Sequence, residues 1–276
     1  MDLKSKIILI YGPTASGKSK FAVQLAKKIN GEIINADSMQ VYKELKILSA
    51  RPSRKDYQNI KHHLYGFQCA KKNFSTGDWL KLIDKKILDL KKRKKIAILV
   101  GGTGLYFKAL TNGLVNIPNI PIKFRNKIRS LHKKLGSKKF FSELIKIDPL
   151  VKNQIKSSDT QRCIRAYEVQ SFTKRSIYNW FKNTQSKYEQ KDFYKIYVDF
   201  PRNELLNRIN LRVKKMIETG AIPEVRKFVK LKVKKEKTAC KAIGISEVRE
   251  YLIKKIDIND VIEKISIKTR QYAKRQ

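Results

Sequence analysis

The 276-residue chain is 41% hydrophobic, enough to bury the core of one large domain or two unequal ones, which excludes the disordered and fibrous classes. No apolar stretch approaches the ~18 to 20 residues that cross a bilayer, and the short apolar run near the N-terminus ends in a glycine loop rather than a small-residue cleavage site. A cytoplasmic protein with no membrane partner is therefore expected, and its 63 Lys and Arg against 24 Asp and Glu, a formal charge of +39, point to a polyanionic partner, nucleic acid foremost.

Most of those cations are lysines, which also form solvated faces in a chain this rich in Ile and Asn. The 15 arginines are the sharper indicators, because a rigid guanidinium fork suits phosphate. Cys69, Cys163 and Cys240 are odd in number and far apart, so small buried or half-buried thiols are expected rather than a disulfide framework or a zinc site.

In chain order, "KIILIYG" (6–12) is an unbroken apolar run that predicts a buried strand, and "KSKFAVQLAKKI" (18–29) predicts a helix. Between them Gly12, Pro13, Thr14, Ala15, Ser16, Gly17, Lys18 and Ser19 fit G-x-x-x-x-G-K-[ST], the phosphate-binding P-loop. Backbone N–H groups of such a loop wrap a phosphate, Lys18 neutralises it, and the Ser19 hydroxyl is placed to hold Mg²⁺. The motif identifies a phosphate without saying whose.

"EIINAD" (32–37) predicts a second strand with Asp37 at its carboxyl end, beside the phosphate loop. A carboxylate there is either a helix cap or turn residue, or a general base facing whatever attacks the bound phosphate compound. "TGDWLKLIDKKILDLKKRK" predicts a long amphipathic helix and "IAILVGG" (96–102) a third buried strand. That strand runs into Gly101, Gly102, Thr103 and Gly104, a glycine turn or a ligand loop, and lacks the acidic end that a P-loop nucleotidase uses to orient Mg²⁺. Strands alternating with helices predict an α/β fold: a parallel sheet with helices on both faces.

After residue 114 the texture turns helical and basic, which predicts a helical insertion over 115–190 within a P-loop core of 1–114 and 191–276. In the insertion, "SSDTQRCIRAYEV" sets Gln161, Arg162 and Arg165 on one helix, with the two arginines three apart on a shared face. Such a face is either solvated or suited to the bases and backbone of RNA. "DFYKIYVDFPR" (192–202) predicts a returning strand, whose Asp199 either substitutes for the missing acidic end or is solvated. The remainder is helical.

Eight pieces, in order, resemble the tRNA dimethylallyltransferase (tRNA isopentenyltransferase) family: "GPTASGKS", "NADSMQVYK", "HHL", "GGTGLYFKAL", "DTQRCIRAYEV", "LRVKKMIETGAIPEV", "AIGISEV" and "TRQYAKRQ". The phosphate loop alone is generic; joined to the Asp37, Thr103 and Gln161–Arg165 segments it is specific, and the pieces span nearly the whole chain. The resemblance implies that the loop holds the diphosphate of dimethylallyl diphosphate and that the five-carbon group passes to N6 of the adenine just 3′ of the anticodon in tRNA. It implies Asp37 as general base, Thr103 as a partner for the adenine amine, Lys18 and Arg212 on the departing diphosphate, and Mg²⁺ on Ser19. It further implies tRNA contacts at Asp37, Ser38, Met39 and Gln40, at Thr103 and Arg125, and at Gln161, Arg162, Cys163, Ile164 and Arg165, with the insertion gripping the anticodon stem-loop. A monomer is expected. "TKRSIYNWF" (173–181) departs from the family's more usual "TGKPLS"-like turn, and "YAKRQ" stands where relatives continue with an aromatic and an arginine. Two other readings stand beside this one: a P-loop kinase of a small molecule or nucleotide, and a non-catalytic RNA-binding protein whose loop senses nucleotide.

Overall fold

The apolar runs of the first hundred residues become strands covered on both faces, so their successive side chains enter two different cores. The computed structural model describes residues 6–182 and 184–276. In chain order its first compact unit contains β1 (Ile7–Tyr11), α1 (Lys18–Lys28), β2 (Gly31–Asn35), α2 (Arg54–Tyr57), β3 (His62–His63), α3 (Thr76–Lys92), β4 (Ile96–Val100) and α4 (Gly104–Asn112). The strands lie in the order β3-β2-β4-β1, and a later strand adds beside β1; every pairing is parallel.

The alternation is visible in the packing. Ile7, Leu9, Ile34, Ala97 and Leu99 meet Trp79, Ile83 and Ile87 of α3 with Tyr106 and Leu110 of α4, whereas Ile8, Ile10, Ile33, Ile98 and Val100 meet Ala22, Val23 and Ala26 of α1. Helices thus cover both faces of the parallel sheet. The strands end sooner than their apolar runs suggest, at Tyr11, Asn35 and Val100. Gly12, Asp37 and Thr103 therefore all fall in loops at the carboxyl edge, where a ligand meets an open α/β sheet.

Two short elements, α2 and β3, have no counterpart in the sequence reading, because two to four residues cannot display a period. β3 matters nonetheless. Its His63 donates to the buried Glu32 of β2 at 2.6 Å, and Arg93, after α3, grips the same carboxylate with both Nη atoms at 2.6 and 3.0 Å. The guanidinium bonds hold Glu32 well below the usual carboxylate range, at about 2, while burial holds His63 below its ordinary value.

The chain divides into two compact units, Met1–Thr111 with Tyr188–Gln276, and Asn112–Lys187. These boundaries sit slightly earlier than the sequence limits of 114/115 and 190/191. The second unit contains α5 (Ile122–Ile147), kinked at Gly136, then α6 (Thr160–Thr173) and α7 (Ile177–Lys182). Phe140 and Leu144 of α5 pack on Cys163, Ala166 and Val169 of α6 in a core of its own. In the unusual "TKRSIYNWF" stretch, α6 closes on Lys174 in the left-handed region at φ 57, and α7 follows.

The first unit resumes with β5 (Phe193–Tyr197), α8 (Arg202–Glu218), α9 (Ala221–Lys230), α10 (Ile245–Leu252) and α11 (Ile258–Lys274). Leu205, Ile209 and Val213 of α8 share a core with Val225 of α9, Val248 of α10, and Val261 and Ile265 of α11. The three cysteines are free thiols, Cys163 buried and the other two half-buried. None of the described helices is long and apolar enough to cross a membrane.

Candidate active site

The phosphate loop begins where β1 stops. Gly12 takes φ 142, and a Cβ there would stand 2.5 Å from the Val198 carbonyl oxygen, so only glycine lets the chain turn so close to the strand beside it. Ala15 is left-handed at φ 68, a strain of roughly 1 kcal/mol that the surrounding loop must hold. α1 starts after Gly17 with no acidic residue in its first turn, so its unpaired N–H groups and the positive end of its dipole face outward as an anion cradle.

Lys18 opens that helix, and its ammonium donates to the Pro13 carbonyl across the loop. Burial draws its pKa down to about 8; the Asp37 charge opposes the shift and the Arg212 charge assists it. Arg212 arrives from α8 and donates through Nη2 to Thr14 Oγ1 at 2.8 Å. Burial lowers its pKa too, and among the described residues its buried Nε has no hydrogen-bond partner. One turn earlier on α8, Arg208 lies over the Phe200 ring at 3.8 Å and faces the same cleft.

Opposite these cations, Asp37 Oδ1 accepts from the backbone N–H of Met39 at 2.8 Å and of Gln40 at 3.4 Å. The turn role and a chemical role are thus compatible, because one oxygen closes the turn. Burial raises the Asp37 pKa above the usual carboxylate range, opposed by those two N–H bonds and by the charges of Lys18 and Arg212. A carboxylate so tuned is a better proton acceptor near neutral pH.

The third loop is brought in by a close backbone approach. A Cβ on Gly101 would meet the Ala36 carbonyl at 2.1 Å, so glycine lets the end of β4 lie against the residue before Asp37. Ser38 N–H then donates to Thr103 Oγ1 at 3.0 Å, and Thr103 Oγ1 donates to Ser38 Oγ at 3.3 Å. The Tyr272 hydroxyl of α11 lies beside the same threonine and Gln276. Gln276 bridges two loops: its Oε1 accepts from Thr14 N–H at 2.7 Å and its Nε2 donates to the Gly102 carbonyl at 3.0 Å.

The result is a cleft of about 290 Å³ lined by Lys18, Asp37, Gln40, Tyr65, Arg208 and Arg212, together with Thr14, Ala15, Gly17 and Ser19 of the loop. Gly12, Pro13 and Ser16 are buried beneath it, and Ser38, Met39 and Thr103 adjoin it. Asp199 is exposed, accepts from Phe200 N–H at 2.8 Å, and does not line the cleft, which favours its solvated reading. Ser19 offers a hard oxygen suited to Mg²⁺. Among the described residues no group of three or more His, Cys, Asp or Glu forms a metal cage.

Arg125, Gln161, Arg162 and Arg165 lie in the second unit. Arg162 is exposed and pairs with Asp159 at 3.4 Å, while Arg125 and Arg165 bond to Glu168. Cys163 packs into that unit's core and its thiol approaches the Lys156 carbonyl; Ile164 is packed against the same core.

A family model described as IPP transferase matches residues 40–276. The chain belongs to this family. The tRNA dimethylallyltransferase of Pelagibacter ubique (strain HTCC1062) is 59% identical over 276 residues, covering 100% of this chain and 88% of that protein. The tRNA dimethylallyltransferase of Agrobacterium fabrum (strain C58 / ATCC 33970) is 40% identical, covering 100% and 93%. Among solved structures, the tRNA isopentenylpyrophosphate transferase of Bacillus halodurans aligns with TM-score 0.68 and 32% identity over 99% of this chain and 85% of that one. A eukaryotic dimethylallyltransferase, captured acting on tRNA, aligns with TM-score 0.84 and 29% identity over 98% and 68%.

In this IPP transferase family member, Asn35, Tyr65, Arg208 and Gln276 stand in or against the cleft without any role assigned from the sequence alone. Only two carried a local signal: Asn35 is a polar residue in an apolar strand, and Arg208 stands one helical turn before Arg212.

Proposed function

We propose that this protein transfers a dimethylallyl group from dimethylallyl diphosphate to N6 of the adenine 3′-adjacent to the anticodon in tRNA, releasing diphosphate. The observation that carries the proposal is the cleft itself, in which a carboxylate of raised pKa, Asp37, faces an anion cradle armed with Lys18 and Arg212. Family membership and relatives named for this reaction support it.

The phosphate loop and α1 hold the diphosphate, with Lys18 and Arg212 neutralising the charge that grows on it. The exocyclic amine of adenine is a poor nucleophile, since its lone pair is delocalised into the ring. As the N6–C1 bond forms and the C1–O bond breaks, that bonding pair leaves with the diphosphate and the N6 proton passes to Asp37. Thr103, held by Ser38, orients the amine. Ser19 and the diphosphate oxygens would hold Mg²⁺, which supplies further charge neutralisation on the diphosphate when bound. The adenine must leave its stack to reach a site of this kind, and the basic second unit, with Arg125, Arg162 and Arg165, grips the anticodon stem-loop. The protein acts as a monomer.

The kinase alternative is weakened because Asp199, the one candidate for its missing acidic strand end, lies outside the cleft. A thermal-shift comparison separates the two, because a ligand that binds only the native state raises the melting temperature by mass action. Dimethylallyl diphosphate with Mg²⁺ is expected to stabilise and ATP to do so far less, and N6-modified adenosine is expected in tRNA digests after reaction. Stabilisation by ATP alone, with unmodified tRNA, would replace this reading with a kinase.

A further inference from the structure

Glu168 on α6 is 1% exposed, yet it is ionisable and sits against an apolar core. A buried carboxylate is costly unless paired. Three guanidiniums surround it: Arg125 Nε at 3.0 Å, Arg165 Nη1 at 3.4 Å and Arg129 Nε at 3.9 Å. One cation would suffice to compensate one carboxylate, so the cluster keeps a surplus of positive charge. Each arginine side chain remains about a third to a half exposed, at 36%, 38% and 45% for Arg125, Arg165 and Arg129. Their inner ends thus converge on Glu168 while their outer surfaces meet solvent.

We propose that Glu168 is a positioning residue that gathers Arg125, Arg129 and Arg165 into one RNA-facing cluster, and that Arg129 is a further contact to the RNA backbone. The proposal rests on the tRNA reading above. Arg125 and Arg129 are one turn apart on α5, which brings both to the same carboxylate. A guanidinium has five N–H donors, and the bonds to Glu168 take one each from Arg125 and Arg165. Arg129 is held near the carboxylate without a hydrogen bond: among the described residues Glu168 Oε1 has no hydrogen-bond partner, and the Arg129 contact to it is an ion pair at 3.9 Å. Its planar fork suits a phosphate. The positive surface extends along α5, whose seven lysines, Lys123 and Lys127 nearest the cluster, face a single acid, Glu143.

The test exploits a conflict of sign. Glu168→Gln adds one net positive charge, so if the carboxylate only subtracts charge, the variant binds an anticodon stem-loop RNA more tightly. If Glu168 positions the arginines, the variant binds more weakly despite the added charge. With the full chain and fluorescence anisotropy across a salt series, a loss of about tenfold is expected for Glu168→Gln, and a salt slope shallower by about one for Arg129→Ala. Turnover at saturating tRNA and KM for dimethylallyl diphosphate are expected to stay within about twofold, a split that general destabilisation would not produce. Equal or tighter binding by Glu168→Gln overturns the positioning role, and an unchanged slope in Arg129→Ala overturns the contact. If Glu168→Gln fails to melt cooperatively, Arg125→Lys replaces it, keeping the charge while giving up the fork; unchanged binding there overturns the proposal. A parent chain without salt-dependent RNA binding sinks the tRNA reading itself, whereas a binding parent with indifferent variants sinks only this proposal.

Discussion

Asn35 clasps the peptide groups of Asp37 from both ends: its Oδ1 accepts from Asp37 N–H at 2.9 Å and its Nδ2 donates to the Asp37 carbonyl at 2.9 Å. The same Nδ2 reaches the Leu64 carbonyl at 3.1 Å, and the Asn35 carbonyl accepts from Trp79 Nε1 at 3.0 Å. A fully buried amide at the end of β2 therefore sets where the Asp37 carboxylate stands.

Asn35→Ala is expected to orphan these backbone groups at about 1 to 3 kcal/mol each when they remain buried. Thermal melts should show a lower midpoint, and turnover should fall at least about tenfold because small misplacements of a base are costly. Parent-like turnover in a variant that melts earlier would separate Asn35 from the chemistry and leave it a purely structural role.

Asp37→Asn keeps the side chain's size and its acceptor for Met39 N–H but cannot take a proton. Single-turnover prenyl transfer with both substrates saturating is expected to slow by ~10² to 10⁴-fold, with binding of each substrate nearly unchanged. Transfer within a few-fold of the parent would reduce Asp37 to its turn.

The Lys18 pKa of about 8 makes alkaline pH a probe. Its charged form persists only below that value, so kcat/KM for dimethylallyl diphosphate should decline above about pH 8, while the acid limb should lie above the ordinary carboxylate range because burial raises Asp37. A bound diphosphate favours the ammonium, so the alkaline limb of kcat should lie higher than that of kcat/KM. Lys18→Ala should lose about 10² to 10³-fold in turnover with tRNA affinity nearly intact. A parallel collapse of tRNA binding would refute separate sites.

Glu32 offers a stability test remote from the chemistry. Its folded pKa of about 2 lies below the ordinary 4.5, so its contribution is fully present above pH 4.5 and is lost as pH falls toward 2. A shift of that size corresponds to roughly 3 kcal/mol. Denaturant melts of Glu32→Gln should show lower stability at pH 7 and a flatter decline between pH 4.5 and 2; parallel pH curves for parent and variant would remove the Arg93–Glu32–His63 group from the acid response.

The sequence by itself determined what depends on contiguous backbone. The phosphate loop is local, because Gly12 and Gly17 allow its turns and Lys18 follows directly; the buried strands are local, because a short apolar run can satisfy both faces only inside a parallel sheet. Asp37 was legible as a strand-end carboxylate, although its two candidate roles proved compatible only once Met39 and Gln40 were seen to occupy a single oxygen. Tertiary structure alone decided the rest. Arg212 meets Thr14 across 198 positions, and Gln276 meets it across 262. Neither contact leaves a periodic trace, since each is set by how α8 and α11 pack around Ile209, Val213 and Val261 rather than by neighbours in the chain. The pKa shifts belong to the same category: Lys18 and Asp37 acquire them from burial and from each other's charge, and both causes exist only when the sheet's carboxyl edge is assembled.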